Sequence, residues 1–251
     1  MILIGDIGNT DTKIFLISSN SKKIYKKRFK TKLLSSYFIN NNFKYLKKNR
    51  KKIKKILFSS VVPSKFKLIK IFFKKKFNLK CIELKELNLN DFINIKVNKK
   101  QIGSDRLANA VSIMDNKNNF IVIDFGTATN FDVIVKNQYI GGVIAPGVAL
   151  SLNNLISNAS LIPNIKLSSI KKTIGTNTDT AVRSGFFHGY TGLLNSIISL
   201  IHKETNKKFK IVLTGGLAHI FRKSLNYKTL IKKDLTINGI LKIALRNLYE
   251  R

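Results

Sequence analysis

The amino-acid sequence predicts a duplicated α/β fold, and three observations carry that expectation. Residues 2–17 read ILIGDIGNTDTKIFLI and residues 120–135 read FIVIDFGTATNFDVIV. Each is a short apolar run, an Asp-x-Gly turn with threonine, and a second apolar run. Runs rich in Ile, Val and Phe and broken by a glycine-containing turn read as β-hairpins. Asp6 and Asp124 stand 118 positions apart in a chain of 251 residues, so each hairpin opens about half of the sequence. Helical periodicities fill the stretches after each hairpin.

Phe43, Leu46, Ile53, Ile56 and Leu57 fit one helical stripe, and Phe66, Ile69 and Phe73 a second, with lysines on the remaining positions. Leu107, Val111 and Met114 continue that period behind Gly103-Ser104-Asp105-Arg106. A longer helix is predicted from Thr178 toward Lys203. Its small residues Ala181, Gly185, Gly189 and Gly192 share roughly one face. That face fits close approach of another backbone, within the chain or across a dimer. Asn238 is placed to cap a final helix bearing Leu241, Leu245 and Leu248.

Hydrophobic residues make up 44% and charged residues 24% of the chain, which excludes a disordered or fibrous protein. The longest apolar stretch, Tyr139 to Leu152, is broken by three glycines and Pro146 and falls short of the roughly 20 apolar residues a bilayer span needs. The opening Met1-Ile2-Leu3-Ile4-Gly5-Asp6 lacks the basic start of a signal peptide. A single cysteine, Cys81, forms no internal disulfide, so we read a cytoplasmic protein with no membrane partner. Lys and Arg number 46 against 13 Asp and Glu, a net charge of +33. A surface so basic attracts polyanions at low salt and is what a nucleic-acid binder needs. The excess is mostly lysine, spreads over almost every segment and accompanies abundant Asn, Ile and Phe, residues with A/T-rich codons. We read it as compositional bias rather than as a nucleic-acid function.

A phosphate site needs backbone N–H groups aimed inward and room for oxygens, which glycine in a tight turn provides. Asp6-Ile7-Gly8-Asn9-Thr10 supplies such a turn, with Asn9 and Thr10 as added donors and Lys13 three residues on. A carboxylate beside phosphates repels them, so Asp6 points to a bridging cation such as Mg²⁺. Asp124-Phe125-Gly126-Thr127-Ala128-Thr129 repeats the arrangement, and two such turns facing each other across a cleft would hold the phosphates of ATP from both sides. Ile211 to Gly216 reads as a strand ending in Thr-Gly-Gly, either a plain strand-to-helix turn or bare backbone for a flat nucleoside. No P-loop, no G-x-G-x-x-G after a strand and no protein-kinase catalytic loop occurs. His188, His202 and His219 have no zinc-ligand spacing, and His188 and His219 read as packing or surface residues.

These glycine-centred elements, in this order, resemble the superfamily of acetate and sugar kinases, Hsp70 and actin. In detail the chain is similar to the type III pantothenate kinases of bacteria. The matching segments are DIGNTDTK at 6–13, SSVVP at 59–63, GSDR at 103–106 and DFGTATNFD at 124–132, then GGVIAPGVALSLNNL at 141–155, IGTNTDTAVRSG at 174–185 and TGG at 214–216. The resemblance implies two ribonuclease H-like, actin-like lobes, each a mixed β-sheet flanked by helices, with the ATP cleft between them. Residues 1–115 would hold the first phosphate motif and the GSDR segment; residues 116–251 would hold the second phosphate motif, the adenosine motif and the dimer helices. It implies ATP with Mg²⁺ and a monovalent cation, potassium or ammonium, as cofactors. Asp6, Ile7, Gly8, Asn9, Thr10, Asp11, Thr12 and Lys13 would bind ATP, and Thr127 would contact it. Asp124 would sit at the monovalent-cation site. Gly103, Ser104, Asp105, Arg106 and Thr178 would bind pantothenate, with Asp105 the general base for its primary hydroxyl and Arg106 suited to pair with its carboxylate. The family's homodimer favours the intersubunit reading of the glycine face.

One position departs from the family pattern. Seven residues before Gly103 the family has a substrate-contacting tyrosine, often with proline three residues later; this chain has Lys96 and Lys99. Lys96 is therefore expected either to replace the tyrosine as a charge partner of the substrate carboxylate or to mark drift in affinity or substrate choice. The function implied is ATP-dependent phosphorylation of pantothenate, the first step toward coenzyme A. Its competitors are a non-catalytic transcriptional accessory protein on the same scaffold and a kinase of another small hydroxylated metabolite.

Overall fold

A computed structural model describes residues 1–18 and 23–246. Along the chain come β1 (Ile2–Ile7), β2 (Asp11–Ile17), β3 (Lys23–Lys30), α1 (Ser36–Asn42), β4 (Lys55–Ser60), α2 (Pro63–Phe77), β5 (Cys81–Glu83), the two-residue strand β6 (Asn94–Ile95) and α3 (Ser104–Ile113). After them run β7 (Asn119–Phe125), β8 (Ala128–Val135), β9 (Gln138–Pro146), α4 (Val148–Asn158), α5 (Thr178–Thr205), β10 (Lys210–Gly215), α6 (Ala218–Phe221), β11 (Thr229–Ile231) and α7 (Leu235–Arg246). They form two compact units, Met114–Lys233 and the remainder, Met1–Ile113 with the chain from Asp234 onward. α7 belongs to the first unit, although it follows the whole of the second in sequence.

One strand plan occurs twice. In the first unit the order is β3-β2-β1-β4-β5, with β1 antiparallel to β2, β2 antiparallel to β3, and the pairs β1–β4 and β4–β5 parallel. In the second unit the strands run β9-β8-β7-β10-β11 with the same sequence of antiparallel and parallel pairings. Register repeats as well. Asp6 lies opposite Lys13 and Ser59, and Asp124 lies opposite Asn130 and Thr214. Both units are mixed α/β sheets, as the paired hairpins predicted.

β1 is a central strand, and Ile2, Leu3 and Ile4 are all buried, the continuous apolar run expected of a strand covered on both faces. Leu3 and Ile7 face a cluster that contains Phe43, Phe66, Ile69 and Phe73 from the helical side. Its rings meet edge to face, as at Phe43 and Phe72, 5.6 Å apart. A Cβ on Gly5 would lie 2.1 Å from the Phe58 ring, so that glycine makes room for the ring within the sheet. Ile2, Ile4 and Asp6 emerge on the opposite face, toward α7, which packs on β1 and β4, and α3, which packs on β4.

Local signals explain most boundaries. α2 opens with Pro63 and ends at Asn78 in left-handed conformation, φ 53°. α5 opens with a capping box, the Asn177 side chain and Thr180 each accepting from the other's backbone N–H. Two expectations fail. Ile56 and Leu57 belong to β4, not to a helix with Phe43 and Leu46, because consecutive Ile56, Leu57 and Phe58 are buried on both faces of a sheet. Asn238 is not a cap: α7 begins at Leu235, and the Asn238 N–H donates to the Asp234 carbonyl at 3.0 Å.

α7 and α3 pack closely. Lys242 Nζ donates to the Val111 carbonyl at 2.9 Å, and Thr236 Oγ1 to Asn109 Oδ1 at 2.8 Å. A Cβ on Gly239 would stand 1.9 Å from the Ala108 carbonyl oxygen. Gly239→Ala is therefore expected to force the two helices apart and lower stability by about 1–3 kcal/mol, the usual cost of overpacking; a thermal denaturation midpoint equal to that of the unaltered chain would contradict this.

Candidate active site

The first Asp-x-Gly turn joins β1 to β2. Gly8 N–H donates to the Asp11 carbonyl at 3.0 Å and closes it. Asp6 and Lys13 are half-buried and directly opposite each other, so their side chains stand on one face. Ser59 extends that row on β4. Asn9 and Thr10 are exposed at the tip. The other predicted residues are turned elsewhere. Ile7 is buried in the core and offers a ligand only its backbone. Thr12 is fully buried, its hydroxyl 2.9 Å from that of Thr31. Asp11 pairs with Arg28 Nη2 at 2.7 Å and Lys30 Nζ at 3.2 Å. Burial alone would raise its carboxyl, but the hydrogen bonds and charges of Arg28 and Lys30 hold it below the ordinary value.

Thr31 was not legible from any motif. It follows β3 and grips the turn at three points. Its Oγ1 donates to the Gly8 carbonyl at 2.7 Å, its N–H donates to the Thr10 carbonyl at 2.9 Å, and its hydroxyl meets that of Thr12. With 2% of its surface exposed, Thr31 fixes both arms of the turn from behind. The signal was present only in the register, which sets β3 beside β2.

Gly103, Ser104, Asp105 and Arg106 lead into α3. Asp105 Oδ1 occupies the space a Cβ on Gly103 would need, 2.4 Å away, so glycine is required for the carboxylate to fold back over the helix start. The Arg106 N–H donates to that oxygen at 2.8 Å. Burial pushes the Asp105 carboxyl up, opposed by this hydrogen bond and by the positive charges of Arg106 and Lys85. Ser104 is fully buried and donates to Glu83 Oε1. Lys96 is exposed just after β6. Lys99, in the family's proline position, donates to the Leu87 carbonyl at 2.8 Å and ties down the loop.

In the second unit, Gly126 N–H donates to the Ala128 carbonyl at 3.0 Å and closes the second turn, with Thr127 exposed and Asp124 half-buried. Three glycines close round it. A Cβ on Gly147 would stand 1.9 Å from the Thr127 carbonyl oxygen, and one on Gly215 would stand 2.4 Å from that of Phe125. Gly215 also has φ +89°, open to glycine at no cost. Gly216 N–H donates to the Phe125 carbonyl at 3.3 Å. The Thr-Gly-Gly segment is therefore packed against the second turn, and Gly147 is a partner that spacing alone did not single out. Thr178 is exposed at the first position of α5. His219 is exposed, and His188 is half-buried beside the Phe187 ring.

Both turns fit phosphate binding: each combines a glycine, a half-buried carboxylate and one exposed threonine, Thr10 or Thr127, in a connection held by its neighbours. Asp6 with phosphate oxygens fits Mg²⁺, an oxygen-seeking cation that commonly takes one or two carboxylates together with phosphates.

Comparison with known proteins agrees with this chemistry. Residues 2–200 match the family model of type III pantothenate kinase. The chain is 55% identical over 244 residues to the type III pantothenate kinase of Pelagibacter ubique, covering 96% of this chain and 98% of that one. It is 37% identical over 257 residues to that of a Sulfurihydrogenibium species, again covering 96% and 98%. Among solved structures, a protein of Campylobacter jejuni assigned to the Baf family of transcriptional activators superposes with TM-score 0.62 at 21% identity, over 98% of both chains. A Sinorhizobium meliloti protein assigned as a 2-dehydro-3-deoxygalactonokinase superposes with TM-score 0.63 at 10% identity, over all of both. The fold is thus shared with these two proteins, and by sequence the chain belongs to the type III pantothenate kinase family.

Proposed function

We propose that this chain transfers the γ-phosphoryl group of ATP to the primary hydroxyl of pantothenate, giving 4'-phosphopantothenate, the first step toward coenzyme A. The observation that carries this reading is 55% identity to a type III pantothenate kinase over nearly the whole chain. The intact Gly103–Arg106 entry to α3 supports it. The regulator reading is disfavoured, because Asp6, Asp105, Arg106, Asp124 and Thr127 all remain and a chain without catalysis has no physical use for that set. A cytoplasmic setting suits this reaction, and no helix among the described residues is long and apolar enough to cross a membrane.

In the proposed mechanism residues 6–13 bind the ATP phosphates through the turn backbone, Asn9, Thr10 and Lys13, while Thr127 contacts ATP. Asp6 would hold Mg²⁺ through the phosphates, and Asp124 would hold potassium or ammonium; these cations supply neutralisation of phosphoryl charge. Gly103 and the backbone of Ser104, whose buried hydroxyl is turned to Glu83, bind pantothenate together with Arg106, Thr178 and Lys96, with Arg106 and Lys96 as cationic partners for its carboxylate. Asp105 orients the hydroxyl and accepts its proton. The hydroxyl oxygen bonds to the γ-phosphorus as the bond to the β,γ-bridging oxygen breaks, and ADP leaves. In a loose transition state most acceleration comes from alignment and charge stabilisation, with late proton transfer. The homodimer proposal rests on Gly185, Gly189 and Gly192. These lie exposed along α5, and among the described residues a Cβ on any of them would meet nothing outside its own stretch of helix within 4 Å, so packing within those residues does not account for the stripe.

The deciding experiment is ADP release from purified protein with Mg-ATP and pantothenate, in potassium and then in sodium. Pantothenate-dependent turnover that requires potassium is expected; no turnover in either salt would sink the substrate assignment. Asp105→Asn should lower kcat by about a hundredfold or more, within the range of general-base effects, while ATP affinity stays within about twofold. Equal loss of both would remove Asp105 as base. Because a base works ionised and burial raises its pKa, the acid limb of kcat/KM should lie above the ordinary carboxylate range and vanish in Asp105→Asn. Gly189→Leu is expected to convert a dimer to a monomer in sedimentation, and an unchanged mass would withdraw the stripe from the interface.

A further inference from the structure

Behind Asp105 lies a second carboxylate that no motif marks. Glu83 ends β5, beside β4, and both of its oxygens accept hydrogen bonds. Oε2 accepts from the Lys85 N–H at 2.7 Å, and Oε1 accepts from Ser104 Oγ and, at 3.4 Å, from the Ser60 N–H. Ser104 Oγ also lies 3.3 Å from the Ser60 carbonyl. Three pieces of backbone converge on this one side chain: the end of β4, the turn after β5 and the first residue of α3. Ser104 is wholly buried, so its hydroxyl has no water to turn to, and its orientation is set by Glu83 and Ser60 alone.

Lys85, two residues along the same segment, closes the other side. Lys85 Nζ donates to the carbonyl of Ile102 at 2.8 Å and to that of Lys100 at 3.1 Å. The loop is thus held just before Gly103, and the helix is held at Ser104. Between these anchors the backbone has no slack, and Asp105 Oδ1 folds over Gly103 as described.

We propose that Glu83 is a positioning residue for phosphoryl transfer, acting through Ser104 to fix the start of α3 and thereby the direction of the Asp105 carboxylate. It touches neither substrate in this role. A charged acceptor suits it, since hydrogen bonds to an ionised carboxylate are stronger and more directional than those to a neutral group. An amide does not, because one of its two ends is a donor and would face the Lys85 N–H or the Ser60 N–H. Misalignment of a reacting group by about 1 Å costs on the order of a hundredfold in rate.

This inference rests on Asp105 as the base, and a double-mutant cycle separates the two. Glu83→Gln is expected to lower kcat about ten- to a hundredfold with the KM for ATP within about twofold and the folded fraction unchanged. Ser104→Ala should reproduce the kcat loss, and the two together should cost no more than either alone. In an Asp105→Asn background Glu83→Gln should have no further effect on kcat. Turnover retained by Asp105→Asn alone would overturn the base reading and this proposal with it. Dependence on Asp105 together with a full, additive Glu83 effect in that background would overturn the proposal and leave the base in place. If Glu83→Gln does not fold, Ser104→Ala in the two backgrounds decides by the same criterion.

Discussion

The parallel pair at the centre of each sheet is the constraint from which the rest follows. β1 beside β4, and β7 beside β10, are apolar strands buried on both faces, in which a slip of one residue would send every side chain to the opposite face of the sheet and break its packing. Their register is therefore fixed, and with it the height at which each strand delivers its aspartate. Asp6 and Asp124 come at equivalent places in the two plans, each where a strand gives way to a glycine turn. The polar residues that surround them inherit their positions from the same rows: Lys13 and Ser59 in one unit, Asn130 and Thr214 in the other. Chemistry is placed here by strand pairing first and by side-chain choice second.

Those strands were legible because an apolar run, a glycine turn and a second run have few other solutions. The same reasoning misread Ile56 and Leu57, since a short run buried on both faces carries no period that distinguishes strand from helix. Within the site, local sequence located the turns and the Gly103–Arg106 entry, where a glycine is needed by the very next carboxylate. It did not locate Thr31 or Glu83, and it marked Gly147 only as one residue of the segment at 141–155. Each of these acts on the site from a different strand or connection, through contacts 15 or more residues away in sequence, and none has a neighbour that betrays its role. Asp11 illustrates the converse. It sits inside the most recognisable motif, yet its carboxylate is directed to Arg28 and Lys30. A motif fixes a backbone path and leaves the destination of each side chain to the strands beside it.

The lysine excess has a structural use besides charge. With 13 acidic residues for 46 basic ones, basic side chains far outnumber carboxylates, and several lysines donate to main-chain carbonyls where segments end. Lys65 reaches the Leu34 carbonyl, Lys99 that of Leu87 and Lys242 that of Val111. A long stem lying over apolar surface with its head on a carbonyl satisfies an acceptor that short side chains cannot reach. Exposed ion pairs such as Lys70 with Glu86 contribute little by comparison.

The return of α7 to the first unit makes that unit discontinuous, and this has a consequence for how the chain comes to be folded. Residues 114–233 form a contiguous unit and have all their partners as soon as they leave the ribosome. The first unit, although synthesised earlier, has only α3 against this face of its sheet, on β4, and leaves β1 without its helix until residues 235–246 emerge, more than 170 positions after β4 ends. Loop closure of that span is slow compared with local hairpins. The half of the protein that carries Asp105 is thus the first made and the last finished, and its apolar strands stay open to wrong partners throughout synthesis of the second half.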